Sequence, residues 1–221
     1  MKQLDILQSE LERLRQDPAI LGVMLIGSFA GGYATQHSDL DIYILCDRTA
    51  FEASWIEGIL VERTIATPET ARKAIAEVPM EAYRWQGAKI LHDPQGLLAK
   101  LTEEARQAYE AWTPPARLKW RIAHWLVTLE LKLEAALASG DTLKAEFLVT
   151  TNAWMLLEAV WAVNGRPMPP TGTAWQLYPT LERVPCADWF EGMFQGTFEQ
   201  RAAHMREIIA WALPILQGES Q

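Results

Sequence analysis

The chain has 221 residues, of which 49% are hydrophobic, and its formal net charge is -8 at pH 7. This length suits two small domains with separate cores, and the acidic balance argues against binding to long nucleic acids, which requires a basic surface. No apolar run approaches the roughly 20 residues of a membrane span, and the N-terminus lacks the features of a signal peptide, so we predict a cytoplasmic protein without membrane contacts.

The first half of the chain has the pattern of a mixed α/β domain. Leucines at helical spacing predict an amphipathic helix over residues 3–16. Thr67 followed by Pro68 predicts the start of a second helix, with Thr67 as its N-cap. Short apolar or β-branched runs bounded by turn residues predict strands, and these lie over residues 22–26, 40–45 and 59–65, with an edge strand over 88–91.

The second half of the chain predicts an antiparallel bundle of helices. The composition changes at residues 112–115, where Trp and Thr precede two prolines. Apolar residues then recur every three or four positions, which predicts helices over residues 116–139, 142–163, 175–181 and 197–216. We therefore predict an α+β protein with an α/β domain over residues 1–112, which holds a small mixed sheet, and an all-α helical bundle over residues 113–221.

Ten tryptophans are a large number for this length, and those of the helical half are predicted to pack the bundle and the domain junction. The alternative is that some of them line a cleft and stack on a ring of a ligand. The tryptophans concerned are Trp112, Trp120, Trp125, Trp154, Trp161 and Trp175. The two cysteines, Cys46 and Cys186, and four scattered histidines imply neither a disulfide framework nor a zinc cluster.

The two residues directly after the first predicted strand, Gly27 and Ser28, are suited to bind phosphate. Gly27 allows the backbone to approach a triphosphate closely, because it has no side chain. The Ser28 hydroxyl, together with amides at the start of a helical turn, can bind phosphate oxygens. A Gly-Ser pair is common in turns, so on its own it does not establish a phosphate site.

Two carboxylates lie downstream of the Gly-Ser pair. Asp39 and Asp41 are two residues apart on an extended strand, so their side chains project from the same face. Carboxylates this close repel each other unless a cation lies between them, and Mg²⁺ is the usual one. Glu62, in the middle of the third strand, is the predicted third ligand of a two-metal site, with Glu57 as its competitor. The alternative for Glu62 is a solvent-facing position paired with Arg63 or a lysine.

Residues 27–34, Gly-Ser-Phe-Ala-Gly-Gly-Tyr-Ala, and residues 38–42, Ser-Asp-Leu-Asp-Ile, resemble the signature of the polymerase-β-like nucleotidyltransferase superfamily. The resemblance covers residues 20–66, and the helical half is similar in pattern to the C-terminal bundle of aminoglycoside and lincosamide nucleotidyltransferases. It implies two Mg²⁺ ions, with ATP or another nucleoside triphosphate as co-substrate. The implied catalytic residues and metal ligands are Asp39, Asp41 and Glu62, and the implied nucleotide-binding residues are Gly27, Ser28 and Ser38.

The implied reaction transfers a nucleoside monophosphate, AMP from ATP in the leading hypothesis, to a hydroxyl of a small molecule, with release of pyrophosphate. An aminoglycoside-like or lincosamide-like antibiotic is the implied acceptor, the implied role is antibiotic resistance, and the acidic chain favours a cationic acceptor. Two alternatives stay open: an antitoxin-like enzyme that AMPylates a partner protein, and a non-catalytic nucleotide-binding relative. The apolar helical surface allows a homodimer. In antibiotic-modifying relatives the general base can be a glutamate of the helical half, and the candidates are Glu130, Glu134, Glu146 and Glu158.

Overall fold

The structure is a computed structural model that describes residues 2–218. The chain divides into two compact units, Met1–Ala111 and Trp112–Gln221. The first unit is α/β and the second is helical, which confirms the predicted α+β class. That residues 1–112 and 113–221 are separate domains stays a prediction. None of the helices within residues 2–218 has the length and apolar character needed to cross a bilayer.

The N-terminal unit is a five-stranded sheet with helices on both faces. Its helices are α1 (Lys2–Arg15), α2 (Gly27–Gly31), α3 (Pro68–Glu77), α4 (Glu81–Gln86) and α5 (Leu97–Ala111). Its strands are β1 (Gly22–Ile26), β2 (Leu40–Leu45), β3 (Ala50–Ile56), β4 (Ile59–Ala66) and β5 (Lys89–His92). The strand order is β3-β4-β2-β1-β5, and only β2 and β4 run parallel, so the sheet is mixed as predicted.

Side chains along the central strands point alternately to the two faces of the sheet, and each face packs into its own apolar core. On one face Val23 and Leu25 of β1 pack in the same cluster as residues of α1. On the other face Met24 and Ile26 pack with residues of α3, α4 and α5. Successive side chains of a strand point to opposite faces, so the same rule divides β2 and β4. Asp41 therefore lies on the face of Tyr43, which is the face that α3, α4 and α5 cover.

Strand β3 is absent from the predicted elements. It joins β4 through the two-residue turn Glu57-Gly58, and both turn residues have positive φ values, 51° and 83°. Such turns match the twist of a hairpin, and glycine adopts a positive φ without steric cost. The hairpin places β3 at the edge of the sheet, where Phe51 and Trp55 are exposed.

The C-terminal unit consists of helices around one apolar core. They are α6 (Ala116–Ala138), α7 (Thr142–Thr151), α8 (Ala153–Val163), α9 (Thr171–Leu177), α10 (Trp189–Gly192) and α11 (Phe198–Gln217), with a 3₁₀ turn over Tyr178–Thr180. The single helix predicted over 142–163 is interrupted at Asn152, whose side-chain oxygen accepts a hydrogen bond from Trp125 Nε1 at 2.9 Å.

The six tryptophans of the packing prediction differ widely in their exposure. Trp161 is fully buried and Trp112 is half-buried. The other four, Trp120, Trp125, Trp154 and Trp175, are between 42% and 68% exposed. Their positions fall beside the buried stripes of their helices. Trp154 and Trp175 line an apolar cavity of about 490 Å³.

Candidate active site

The connection between β1 and β2 brings the backbone at Gly27 against a carboxylate. Ile26, the last residue of β1, pairs with Asp41 across the antiparallel ladder. Gly27 has a φ of +68°, and a Cβ at this position would lie 2.1 Å from Asp41 Oδ2. Only glycine fits here, since any side chain would both strain the backbone and displace the carboxylate. This close approach gives a physical reason for a glycine at position 27.

The Ser28 hydroxyl has no partner within the described part of the chain. Its Oγ is buried and makes no hydrogen bond. A buried hydroxyl left without a partner is destabilising by about 1–3 kcal/mol, so such groups usually serve a ligand or a water molecule. Ser28 directly follows Gly27, whose backbone meets Asp41, and its hydroxyl has the chemistry to donate a hydrogen bond to a phosphate oxygen.

Three carboxylates meet at the end of the parallel strand pair. Asp41 of β2 lies directly opposite Glu62 of β4 in the ladder, and Asp39 precedes β2. One oxygen of each carboxylate can be chosen so that all three lie within 4.8 Å of one another. A set of carboxylate oxygens is the donor chemistry that Mg²⁺ prefers. The three predicted metal ligands are therefore brought together in space, and their chemistry fits the implied ion.

The pKa of Asp41, the central carboxyl of this cluster, reflects both its burial and the repulsion by its neighbours. Burial, together with the charges of Asp39 and Glu62, raises the pKa of Asp41 to about 6. The nearby charge of Arg84 acts in the opposite direction and lowers this pKa. Desolvation and like charges both disfavour the ionised carboxylate, and a bound cation would reverse the second effect.

The two alternatives for Glu62 are not what the structure shows. Arg63 lies on the opposite face of β4, where its Nε donates to Glu10 Oε2 at 2.8 Å and its Nη1 donates to Ser54 Oγ at 2.9 Å. Glu57, the competing third acid, sits in the β3–β4 turn beside Lys2, 3.5 Å from its Nζ. Within residues 2–218 Glu62 therefore joins the aspartates, and Glu57 does not.

Ser38 belongs to the turn that leads into the first aspartate. Its Oγ accepts a hydrogen bond from the Thr35 amide at 2.9 Å, and its own amide donates to the Thr35 carbonyl at 3.1 Å. The hydroxyl oxygens of Thr35 and Ser38 also lie 3.5 Å apart, within hydrogen-bond reach of each other. The structure thus shows a turn-forming role for Ser38, and its role in nucleotide binding stays a prediction.

Arg84 is a residue near the site that the motif does not contain. It lies on α4, and its charge reaches Asp41. Its Nη1 donates to Glu81 Oε1 at 2.8 Å, and its guanidinium carbon lies 5.9 Å from the centre of the Tyr43 ring. No sequence signal singled it out, because α4 is a single short helix absent from the predicted elements.

Three of the four candidate general bases in the helical unit are engaged in ion pairs. The pairs are Glu158 with Arg121 at 2.6 Å, Glu146 with Arg201 at 2.7 Å and Glu134 with Arg206 at 4.0 Å. Glu130 forms no ion pair with any residue of the described range 2–218.

Comparison with known proteins agrees with this geometry. Residues 10–74 match the family model described as polymerase beta, nucleotidyltransferase. One similar solved structure is a nucleotidyltransferase-like protein from Exiguobacterium sibiricum, with 12% sequence identity, a TM-score of 0.50, and coverage of 96% of this chain and 73% of the other. At this identity the similarity concerns the fold. Curated protein sequences gave no match. The resemblance to the polymerase-β-like superfamily is confirmed.

Proposed function

We propose that this chain, whose N-terminal unit carries a polymerase-β-like nucleotidyltransferase domain, transfers a nucleoside monophosphate from a nucleoside triphosphate to a hydroxyl of a small molecule. One observation carries the proposal: Asp39, Asp41 and Glu62 present oxygens within 4.8 Å of one another, and the backbone at Gly27 closely approaches Asp41. Carboxylates gathered in this way suit the binding of metal ions for phosphoryl chemistry rather than a structural role.

The three carboxylates would hold Mg²⁺, which neutralises phosphate charge and polarises the α-phosphate during in-line attack. The ladder pairing of β2 with β4 fixes the separation of Asp41 and Glu62, so the ligands need little rearrangement. The acceptor oxygen forms a bond to the α-phosphorus as the bond to the β-phosphate bridge breaks. The hydroxyl proton passes to a carboxylate, and pyrophosphate leaves.

Three further groups would bind the phosphates. Ser28 Oγ donates its hydrogen to a phosphate oxygen, which gives this buried hydroxyl the partner it lacks. Gly27 keeps the backbone free of a side chain where the triphosphate approaches. Arg84 adds a positive charge near Asp41, and it suits the leaving pyrophosphate because guanidinium groups bind phosphate oxygens in pairs.

We also propose a specific nucleotide donor and a class of acceptor. We assign ATP as donor and AMP as the transferred group, following the antibiotic-modifying branch that the helical half resembles. The acceptor is a cationic polyol of the aminoglycoside or lincosamide type, which would give antibiotic resistance, and the charge of -8 supports a cationic partner. Cytoplasmic location and a homodimer belong to the same proposal.

The experiment measures pyrophosphate release by the parent protein with Mg²⁺, each of the four nucleoside triphosphates and a panel of aminoglycosides, lincosamides and other polyols. Asp41→Asn and Glu62→Gln are expected to lower the rate by about 100-fold or more, because they remove ligands of the ion that stabilises the transferring phosphate. Glu57→Gln is the matched control for Glu62→Gln and is expected to keep the parent rate, since Glu57 lies in the hairpin turn.

Folded Asp41→Asn protein that releases pyrophosphate at the parent rate would contradict the proposal. Two other outcomes favour the alternatives. Nucleotide label found on a co-purified protein, with no small-molecule acceptor modified, indicates protein AMPylation. Nucleotide binding that is unchanged when Mg²⁺ is withheld, without turnover on any acceptor, indicates a non-catalytic binding protein.

A further inference from the structure

A second group of metal-binding side chains lies in the C-terminal unit, outside the site described above. Cys186 is in the loop before α10, Asp188 directly precedes α10, and His204 is on α11. A sulfur, a carboxylate oxygen and a ring nitrogen from these residues all lie within 4.8 Å of one another. The cluster thus combines three different donor types from two segments that are distant in sequence.

The start of α10 is shaped around the imidazole ring. Asp188 occupies the N-cap position, where an aspartate normally accepts a hydrogen bond from an amide of the first turn, yet its side chain makes no capping bond. At the other end of this short helix, a Cβ on Gly192 would lie 2.4 Å from ring atoms of His204. The missing side chain leaves room for the ring, and the Asp188 carboxylate turns toward it instead of capping the helix.

The ring nitrogens of His204 face carboxylates but do not bond to them. Nε2 lies 3.6 Å from Asp188 Oδ2, and Nδ1 lies 3.8 Å from Glu207 Oε2. Nδ1 is also buried without a hydrogen-bond partner among the described residues. In a tetrahedral zinc site with bonds of about 2.0–2.3 Å, donor atoms lie about 3.3–3.8 Å apart. The separation of Asp188 from His204 therefore already matches a zinc site.

We propose that Cys186, Asp188 and His204 bind a zinc ion, through Sγ, a carboxylate oxygen and Nε2 respectively. Glu207 then accepts a hydrogen bond from Nδ1–H and orients the ring, as carboxylates beside zinc-bound histidines commonly do. The Asp188 side chain is 69% exposed, so a water molecule can take the fourth position. Closing the cluster needs a movement of about 1 Å by the thiol or by the exposed carboxylate.

Donor chemistry separates this site from the carboxylate cluster of the N-terminal unit. A thiolate and an imidazole favour zinc over Mg²⁺, which prefers oxygen ligands. Zinc binds the thiolate form of cysteine, so binding releases the proton of the Cys186 thiol to solvent. The bound ion links the loop before α10 to α11 and stabilises the folded unit.

The test uses cobalt as a spectroscopic substitute for zinc in the full chain, purified under reducing conditions and freed of metal with a chelator. A near-ultraviolet sulfur-to-cobalt band is expected in the parent, and zinc should displace the cobalt. The band is expected to persist in Cys46→Ala, which leaves Cys186 as the sole thiol, and to be absent in Cys186→Ser. Oxygen ligands of the N-terminal site give no such band, so cobalt bound there does not interfere.

Two further variants keep the test informative if Cys186→Ser folds poorly. Asp188→Asn alters an exposed side chain and Glu207→Gln alters the orienting carboxylate, and each is expected to weaken zinc binding about 10- to 100-fold. Zinc is expected to raise the unfolding temperature of the parent and to have a smaller effect on both variants. Absence of the band in the parent, a band that survives in folded Cys186→Ser, or parent-like zinc affinity in both other variants would overturn the proposal.

Discussion

Replacing Asp41 with asparagine is expected to stabilise the metal-free protein while it removes activity. The pKa of Asp41 rises from its ordinary value of 3.8 to about 6 in the folded chain, through burial and the charges of Asp39 and Glu62. The folded state therefore holds this proton more tightly than the unfolded state. Stability falls as the pH rises through the window between these two values, because the charge must then be carried in the folded site.

The magnitude depends on the size of the pKa change. Each pKa unit corresponds to about 1.36 kcal/mol, so a change of roughly two units gives at most about 3 kcal/mol. Asp41 is partly accessible to solvent, which screens its charge, and we expect about 1–2 kcal/mol. At pH 8 in a chelator, Asp41→Asn should raise the unfolding temperature by a few degrees. At pH 5 the difference should shrink, since the parent carboxyl is then mostly protonated.

Thermal unfolding followed by circular dichroism at the two pH values measures this difference. The Asp47→Asn variant, which alters an exposed residue, is the matched control and is expected to have the unfolding temperature of the parent at both pH values. Mg²⁺ should stabilise the parent at pH 8 and have little effect on Asp41→Asn, because the ion offsets the repulsion that the variant has already removed. An Asp41→Asn protein that is less stable than the parent at pH 8, or equally shifted at both pH values, would refute this reasoning.

Four other substitutions test the contacts around the site and in the sheet. Gly27→Ala should lower stability by about 1–2 kcal/mol and reduce pyrophosphate release at least tenfold, because φ is +68° and the new methyl would meet a carboxylate oxygen. Gly32→Ala is the control, since Gly32 has a φ of +80° but open space around an added Cβ, and it should lower stability by about 1 kcal/mol and keep most of the activity. Equal losses of activity in Gly27→Ala and Gly32→Ala would contradict the steric argument. Ser28→Ala should raise stability by about 1 kcal/mol or more in urea unfolding, because it removes a buried hydroxyl without a partner, and it should weaken nucleotide binding in calorimetry; unchanged binding would contradict its role. Arg63→Ala should cost up to about 3 kcal/mol in urea unfolding, because the largely buried Glu10 carboxylate then keeps only the exposed Arg13 as a cationic partner, and an unchanged stability would contradict this.

The site was more predictable from the sequence than its surroundings. Residues two apart on a strand share a face, so the spacing of Asp39 and Asp41 already placed them together. Glu62 needed a second condition, the register of two parallel strands, and the sequence does not encode that register locally. Its competitor Glu57 was resolved only by the hairpin, which places it in the turn.

Some missing elements had local signals, and others did not. Helix α5, Leu97–Ala111, is absent from the predicted elements although Asp93 precedes it and accepts hydrogen bonds from the Leu98 and Ala99 amides. Strand β3 also had a signal, the Glu-Gly turn between two runs rich in strand formers. The break at Asn152 coincides with a hydrogen bond from Trp125 of another helix, and the periodicity of residues 142–163 does not show either of them.

Exposure of aromatic residues is the part that sequence patterns treat least well. Tryptophan is classed as a hydrophobic residue, so helical periodicity assigns it to the core even where it lies beside the buried stripe of its helix. In α6 the buried positions include Ile122, Leu126 and Leu129, while Trp120 is 68% exposed and Trp125 is 44% exposed. Arg84 could not be singled out from the sequence either, because its role comes from its charge, which acts on Asp41 through space.

The most direct test of nucleotidyl transfer is the fate of a phosphorus label in the nucleotide. With Mg²⁺ and an accepted polyol, label in the α-phosphate should move to the acceptor, and label in the γ-phosphate should leave as pyrophosphate. Asp41→Asn should transfer neither above background. Transfer of the γ-label to the acceptor, or α-label transfer by folded Asp41→Asn at the parent rate, would contradict nucleotidyl transfer by the cluster of Asp39, Asp41 and Glu62.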